Sequence, residues 1–143
     1  MEDTRTAVED FFRLFIRNDD HGDVPTQVAQ FAATFLAAGP QGASCVRNED
    51  FAIVLPKRKQ LFKSLGLQST ELVGVEAESI SARYSLARTQ WKMLFASGTH
   101  ATEEIPVHST FLVDTGVQPF QIVLYLAHQD IMGILKERGV AKD

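Results

Sequence analysis

The stretch from His108 to Gly139 decides the fold of this chain. It consists of three runs, HSTFLVD (residues 108–114), FQIVLYLAHQD (120–130) and IMGILKERG (131–139). The first two runs are rich in β-branched and aromatic residues, and a short turn containing Gly and Pro separates them, which predicts a pair of antiparallel strands. Asp130 can cap a helix and a Gly can end one, so the third run predicts a short C-terminal helix.

The residues before this stretch predict helices first and strands afterwards. Asp3–Asn18 carries apolar residues at helical spacing, and Pro25–Ala38 starts with a proline that suits a first helical turn. Further helical segments are expected at Glu49–Leu55 and, after a break at Pro56, at Lys57–Leu65. Strands are expected at Ala43–Val46, Glu71–Ser79, Tyr84–Ala96, Glu103–Asp114 and Phe120–His128, with one of the turns at Ser97–Thr99.

This order of elements predicts an α+β fold in which helices gather on one side of an antiparallel sheet. The 143 residues and the 45% hydrophobic content fit a single domain that spans residues 1–143 and has its own core. A net charge of −4 argues against a general nucleic-acid-binding surface. The basic cluster Lys57–Lys59 is expected to be the solvated face of a helix.

Other composition features favour a cytoplasmic protein that does not span a membrane. No run approaches the ~18 apolar residues of a membrane-spanning helix, and the acidic N-terminus lacks the apolar segment of a secretory signal. Cys45 is the single cysteine, which excludes an internal disulfide, and it is expected to be a small buried hydrophobe. No metal or cofactor is expected, because Asn18–Asp23 departs from the calcium-loop pattern and the histidines lack zinc-ligand spacing.

Apolar residues occupy both faces of the last predicted strand. Strict alternation would place Ile122, Leu124 and Leu126 in one row and Val123 and Tyr125 in the other. A sheet with one face in water would show a cleaner polar row. Helices can cover one face, so we expect the other face to meet a second copy of the chain in a homodimer.

Three segments carry a resemblance to a known family: Tyr84–Met93, Ser109–Val113 and Tyr125–Asp130. Together with the helices predicted in its N-terminal half, these segments make the chain resemble the nuclear transport factor 2-like superfamily, in its bacterial SnoaL-like branch. The resemblance implies a cone-shaped, curved antiparallel sheet wrapped around the N-terminal helices, a deep apolar pocket and dimerisation through the sheet. Members include isomerases, dehydratases, polyketide cyclases, epoxide hydrolases and binding modules, so the resemblance does not settle the function.

His108 and Tyr125 are the candidate catalytic residues, because they lie on strands that should be neighbours. A histidine can act as a base near neutral pH, and a phenol can stabilise a developing anion. In the alternative interpretation, His108 is bonded within the sheet or buried in the dimer contact. Of the residues that follow the last strand, Asp130 is expected to cap the final helix, and His128 to orient the turn or face the partner subunit.

The expected pocket is lined by aromatic side chains, namely Phe12, Phe15, Phe35, Trp91 and Phe111. The steroid isomerases of the superfamily use a tyrosine on a helix and an aspartate base. The first helix here carries phenylalanines, and residues 42–47 contain no aspartate, so that activity is not expected.

Three hypotheses follow from the sequence. In the first, the chain is a dimeric pocket protein that binds a small apolar or aromatic molecule. In the second, it is a lyase, isomerase or polyketide-cyclase-like enzyme that acts through His108 and Tyr125. In the third, it is a structural or regulatory dimerisation module whose cavity is filled by its own aromatic side chains.

Overall fold

The computed structural model describes residues 2–96 and 102–141, with side chains from residue 4 onward. Its elements in chain order are α1 (Glu2–Asp20), α2 (Val24–Val28), β1 (Phe31–Gly39), β2 (Gly42–Arg47), α3 (Asn48–Ser64), β3 (Leu67–Ser79), β4 (Tyr84–Phe95), β5 (Glu103–Asp114), β6 (Gln121–Ala127) and α4 (Ile131–Glu137). The predicted α+β class and the C-terminal helix are confirmed. The predicted turn at Ser97–Thr99 lies outside the described residues.

The six strands form one curved, open sheet in the order β2–β1–β6–β5–β4–β3. β1 and β6 run parallel, and every other neighbouring pair is antiparallel. The four strands predicted from the second half of the chain form a continuous meander, β3 to β6. β4 and β5 pair without a register shift from Tyr84 opposite Asp114 to Phe95 opposite Glu103.

The hydrophobic core lies on the concave, inner face of the sheet. Trp91 and Phe95 on β4 and Phe111 on β5 are buried at alternating positions, as the strand period requires. Helix α1 packs Phe12 against this face, with its ring centroid 4.8 Å from that of Phe111. Helix α3 adds Phe62, whose ring lies 6.2 Å from that of Phe95. The helices therefore cover one face of the sheet, as predicted.

The predicted helix at Pro25–Ala38 is wrong beyond its first turn. Helix α2 ends at Val28, and β1 begins at Phe31 and lies between β2 and β6. The sequence pattern is ambiguous here because Phe31 and Phe35 are four residues apart, and such positions share a face in both a helix and a strand. Both rings are buried on the inner face of the sheet.

The predicted break at Pro56 is also wrong, because α3 runs from Asn48 to Ser64 without interruption. Pro56 lacks the N–H that would close one helical hydrogen bond. Its ring is exposed, while Leu55 and Phe62 are buried on either side of it along the helix. Burial of these two side chains holds both halves of α3 against the core.

Cys45 is exposed, so the expectation that it would be buried is wrong. It lies on the edge strand β2, opposite Leu36 of β1. Its neighbour Val46 pairs with Phe35 and packs against the core, so alternation along the strand directs Cys45 to the outer face.

Two further features are absent from the described ranges. No helix there is both long and apolar enough to cross a membrane. Nor do three His, Cys, Asp or Glu side chains come close enough together to hold a metal ion.

Candidate ligand-binding site

The five aromatic residues expected to line a pocket come together on the inner face of the sheet. The ring of Phe15 lies 6.0 Å from those of both Trp91 and Phe111, and Phe12 contacts Phe111. Phe35 joins the cluster through Phe31. These rings pack against one another and fill the concave side of the sheet, so they form a core.

The polar edge of Trp91 is engaged within this core. Its indole N–H donates to Thr89 Oγ1 at 2.7 Å, and the Thr89 hydroxyl donates to the carbonyl of Ser109 at 3.0 Å. All three residues are buried. Because its single donor is satisfied internally, Trp91 contributes apolar contact and no free hydrogen-bonding group.

A cavity of about 430 Å³ lies beside the core, at one end of the concave face. The turn between β1 and β2, helix α3, the end of β6 and the start of α4 line this mouth cavity, which is open to solvent. Phe62, Tyr125, Ile131 and Met132 form its apolar wall, and Arg58 lies on the same wall. Of all the candidate catalytic and pocket residues, Tyr125 alone lines it.

Tyr125 joins the aromatic core to the mouth cavity. Its ring stacks on Phe111 with the centroids 5.1 Å apart and the planes at 21°. Its hydroxyl has no hydrogen-bond partner within the described part of the chain. The phenol is therefore available to a bound molecule.

His108 lies on the opposite face of the sheet from Tyr125. Phe111 pairs directly with Tyr125, and Thr110 pairs directly with Leu126. Because neighbouring positions alternate between faces, His108 shares the outer face with Thr110. The structure therefore does not bring the two candidate catalytic residues together.

The surroundings of His108 are those of an exposed residue held in a strand pair. Its backbone N–H donates to Gln129 Oε1 at 2.7 Å, and the Gln129 amide donates to the carbonyl of Pro106 at 2.9 Å. The ring of His128 lies 6.4 Å from that of His108, and His128 Nε2 is 2.7 Å from Thr110 Oγ1. This pair of histidines lines the outer face and no described cavity.

A second cavity, of about 360 Å³, lies between α1 and β3. Its wall combines the charged residues Glu9, Arg13, Asp20 and Glu71 with apolar ones such as Ile16 and Leu72. Partial burial raises the pKa of the Asp20 carboxyl, and the neighbouring Asp19 carboxylate raises it further. The charged residues make this wall a poorer match for an apolar molecule than the wall of the mouth cavity.

Sequence reasoning missed most of the mouth cavity. The basic cluster Lys57–Lys59 was expected to be solvated, and Arg58 is exposed, but it also lines the cavity one helical turn before Phe62. Residues four apart share a helix face, so a basic residue four positions before an apolar one was a usable signal. Asp130 caps α4 as predicted, accepting a hydrogen bond from the backbone N–H of Gly133 at 3.1 Å.

The structure is similar to solved structures of nuclear transport factor 2-like proteins. A protein of this type with a cystatin-like fold, from Novosphingobium aromaticivorans, matches at 8% identity over 96% of this chain and 88% of that one, with a TM-score of 0.71. A ketosteroid isomerase-like protein from Erwinia carotovora atroseptica matches at 13% identity over 90% and 97%, with a TM-score of 0.67. The beta subunit of benzoate 1,2-dioxygenase from Burkholderia mallei matches at 14% identity over 89% and 91%, with a TM-score of 0.67.

No protein family model and no curated protein matches the sequence. At the identities of the structural matches, the likeness establishes the fold alone. The chain has the nuclear transport factor 2-like fold, and the predicted resemblance is confirmed at that level. Because this fold hosts unrelated functions, the function must be argued from the cavity and the surfaces.

Proposed function

We propose that this protein binds a small, flat, apolar or aromatic molecule in the mouth cavity and works as a homodimer. The observation that carries the proposal is the mouth cavity itself, about 430 Å³ with an apolar wall of Phe62, Tyr125 and Ile131. Small-molecule sites typically measure ~300–1,000 Å³ and combine apolar walls with a few polar groups. The ligand would lie beside the aromatic core and not inside it.

The outer face of the sheet supports the dimer. Leu36, Leu124, Leu112 and Leu86 lie directly opposite one another in turn, which makes a leucine row across β1, β6, β5 and β4. The core-forming aromatic side chains of α1 and α3 contact the inner face, so they do not cover this row. A second copy of the same face is the simplest cover, since closed two-fold dimers are the commonest oligomers.

On this proposal the two candidate catalytic residues have different roles. Tyr125 contacts the ligand through its ring edge and hydroxyl. His108 belongs to the outer face, where it contributes to the dimer contact, as in the alternative interpretation of the sequence. A cytoplasmic location and a single domain over residues 1–143 stay predictions.

Isothermal titration calorimetry with naphthamide, a neutral flat probe, tests the pocket. Met132→Trp adds bulk to the cavity wall from the half-buried start of α4, and it should weaken binding at least tenfold if the probe occupies the cavity. Lys136→Trp places the same side chain on an exposed position of α4 and should leave affinity unchanged. Equal affinity of the two variants, or no binding by the wild-type protein, would contradict the proposal.

The packed aromatic core favours one second candidate, a structural or assembly module. Phe12 is 0% exposed and Phe35 and Phe111 are 3% exposed, so the interior of the fold is filled by its own side chains. One protein of similar fold is the beta subunit of benzoate 1,2-dioxygenase. An intact dimer that binds no apolar probe would favour this candidate over the pocket protein.

A further inference from the structure

Arg58 is held over an aromatic ring at the wall of the mouth cavity. Its guanidinium carbon lies 5.4 Å from the centroid of the Phe62 ring, in a cation–π contact between residues one helical turn apart. Such a contact uses the charge of the guanidinium and does not by itself engage its five N–H donors as hydrogen bonds to another polar group. The exposed Arg58 side chain therefore presents N–H donors beside the apolar wall.

These donors are not used within the described residues. There Arg58 forms no ion pair within 4.0 Å and donates no hydrogen bond, whereas Arg83 and Arg88 bind Asp114 and Glu78. Lys59, the next cation along α3, pairs with Asp19 at 3.3 Å. Arg58 is thus one of several described cations without a carboxylate partner, as are Arg17 and Lys63, and it is the one among them that lines the mouth cavity.

The acidic residue on the same wall is already engaged. Asp130 caps α4 through the backbone N–H of Gly133, and the N-terminal end of a helix stabilises a negative charge. The amide of Gln129, also on this wall, is bonded to the backbone of β5. Arg58 is consequently the group on this wall best placed to recognise a charged part of a ligand.

We propose that the mouth cavity takes a flat apolar molecule that carries a carboxylate, with the carboxylate bound by Arg58 and the apolar body against Phe62, Tyr125 and Ile131. This inference rests on the proposed small-molecule function and names its ligand class. A guanidinium matches a carboxylate in a planar, two-point contact, which a lysine cannot reproduce. The buried side chains of Phe62 and Ile131 would cover one side of the apolar body of the ligand.

Calorimetric titration at neutral pH with naphthoate and with naphthamide, its neutral counterpart, tests this inference. Wild-type protein should bind naphthoate about fivefold more tightly than naphthamide, the size expected of a partly solvated charge-assisted contact. Arg58→Gln should remove this preference, so that naphthoate and naphthamide bind with equal affinity. Arg58→Lys should retain part of it, since the charge remains and the planar contact is lost.

Lys57→Gln is the matched control, because it removes the same charge from the adjacent, exposed position of α3, away from the cavity wall. It should keep the naphthoate preference. A preference that falls equally in Lys57→Gln and Arg58→Gln would reflect the general field of the basic cluster and would overturn the role of Arg58.

Two other outcomes separate this inference from the proposed function. Equal binding of naphthoate and naphthamide to the wild-type protein, blocked by Met132→Trp, would overturn the carboxylate while the pocket stands. Tighter binding of protonated naphthylmethylamine that is lost in Asp130→Asn would assign the opposite charge to the ligand and also overturn it. Absence of binding by every probe would remove the pocket and the inference together.

Discussion

The rings of Phe111 and Tyr125 stack across the β5–β6 pair, with centroids 5.1 Å apart, at the boundary between the filled core and the mouth cavity. Phe111 is 3% exposed and contacts Phe12 on its other side. Tyr125 is half-buried and lines the cavity. One stacked pair thus separates side chains that hold the fold together from side chains that face a ligand.

Changes at Tyr125 should distinguish its ring from its hydroxyl. Tyr125→Phe keeps the stacking on Phe111, and we expect the free energy of unfolding to change by less than about 0.5 kcal/mol, because the hydroxyl has no internal partner to lose. Tyr125→Ala removes a half-buried ring and should destabilise the protein by about 2 kcal/mol. Urea denaturation followed by circular dichroism measures both. A loss of more than ~1 kcal/mol in Tyr125→Phe would show that the hydroxyl has a structural role.

Phe12→Ala should behave as a core substitution and not as a pocket substitution. Phe12 is fully buried against Phe111, so its truncation should lower the free energy of unfolding by about 3–5 kcal/mol. Leu14 lies on the same helix and is 40% exposed, so Leu14→Ala should lower the free energy of unfolding by less than about 1 kcal/mol. If Phe12→Ala left stability intact and changed only probe affinity, Phe12 would line a ligand pocket after all.

One extra residue in β6 places Tyr125 on the inner face, apart from His108, although the two residues lie on neighbouring strands as predicted. Val113 pairs with Ile122, whereas Leu112 pairs with Leu124, so the register shifts by one residue and Val123 has no partner. Without this bulge Thr110 would face Tyr125, and the tyrosine would share the outer face with His108. A shift of one residue moves every later side chain to the other face, and strict alternation cannot reveal it.

The elements that sequence reasoning located well have strong local signals. β5 has the predicted bounds, Glu103–Asp114, because its apolar residues alternate with polar ones along most of its length. Helix α4 follows its aspartate cap as predicted. The prediction failed at β1 because its apolar residues fit both the helix and the strand period. Only the pairing with β2 and β6 selects the strand. The mouth cavity is formed by α3, β6 and α4 together, so no single segment of the sequence predicts it.

The Asp114–Arg83 pair gives the protein a defined acid sensitivity. Arg83 donates to both carboxylate oxygens of Asp114 at 2.9 Å, and the N–H of Gly116 adds a third bond. The hydrogen bond from Arg83 lowers the pKa of Asp114 despite its burial, while an unfolded aspartate titrates near ~3.9. A carboxyl with a lowered pKa stabilises the fold above the unfolded value, and this stability is lost as the pH falls through the folded value.

Wild-type protein should therefore be more stable than Asp114→Asn at neutral pH, and the gap should close as the pH falls below ~3.9. Urea denaturation across this range measures it. Asp10→Asn is the matched control, since Asp10 also pairs with an arginine, Arg13, but on an exposed surface of α1. The free energy of unfolding of Asp10→Asn should differ little from that of the wild-type protein at every pH. A gap for Asp114→Asn that is independent of pH would mean that the ion pair does not stabilise the fold.

The leucine row across the outer face predicts how the proposed dimer can be broken. Leu124 lies at its centre, opposite both Leu36 and Leu112, so Leu124→Glu would place two charges against each other across a two-fold contact. Lys92 lies at the polar border of this face. Hydrogen bonds to Glu104 and Glu71 raise its pKa, so this lysine stays charged and is already paired with the two glutamates. Arg88, two residues from Leu86 on the same face of β4, is likewise already paired, with Glu78.

Sedimentation equilibrium should give twice the 15.9 kDa chain mass for the wild-type protein and a single chain mass for Leu124→Glu. Val73→Glu is the control, because Val73 is an exposed apolar residue on the edge strand β3, away from the leucine row. It should remain dimeric, and circular dichroism should show both variants folded. A wild-type monomer would contradict the proposed dimer, and a Leu124→Glu variant that still dimerises would place the contact between copies elsewhere.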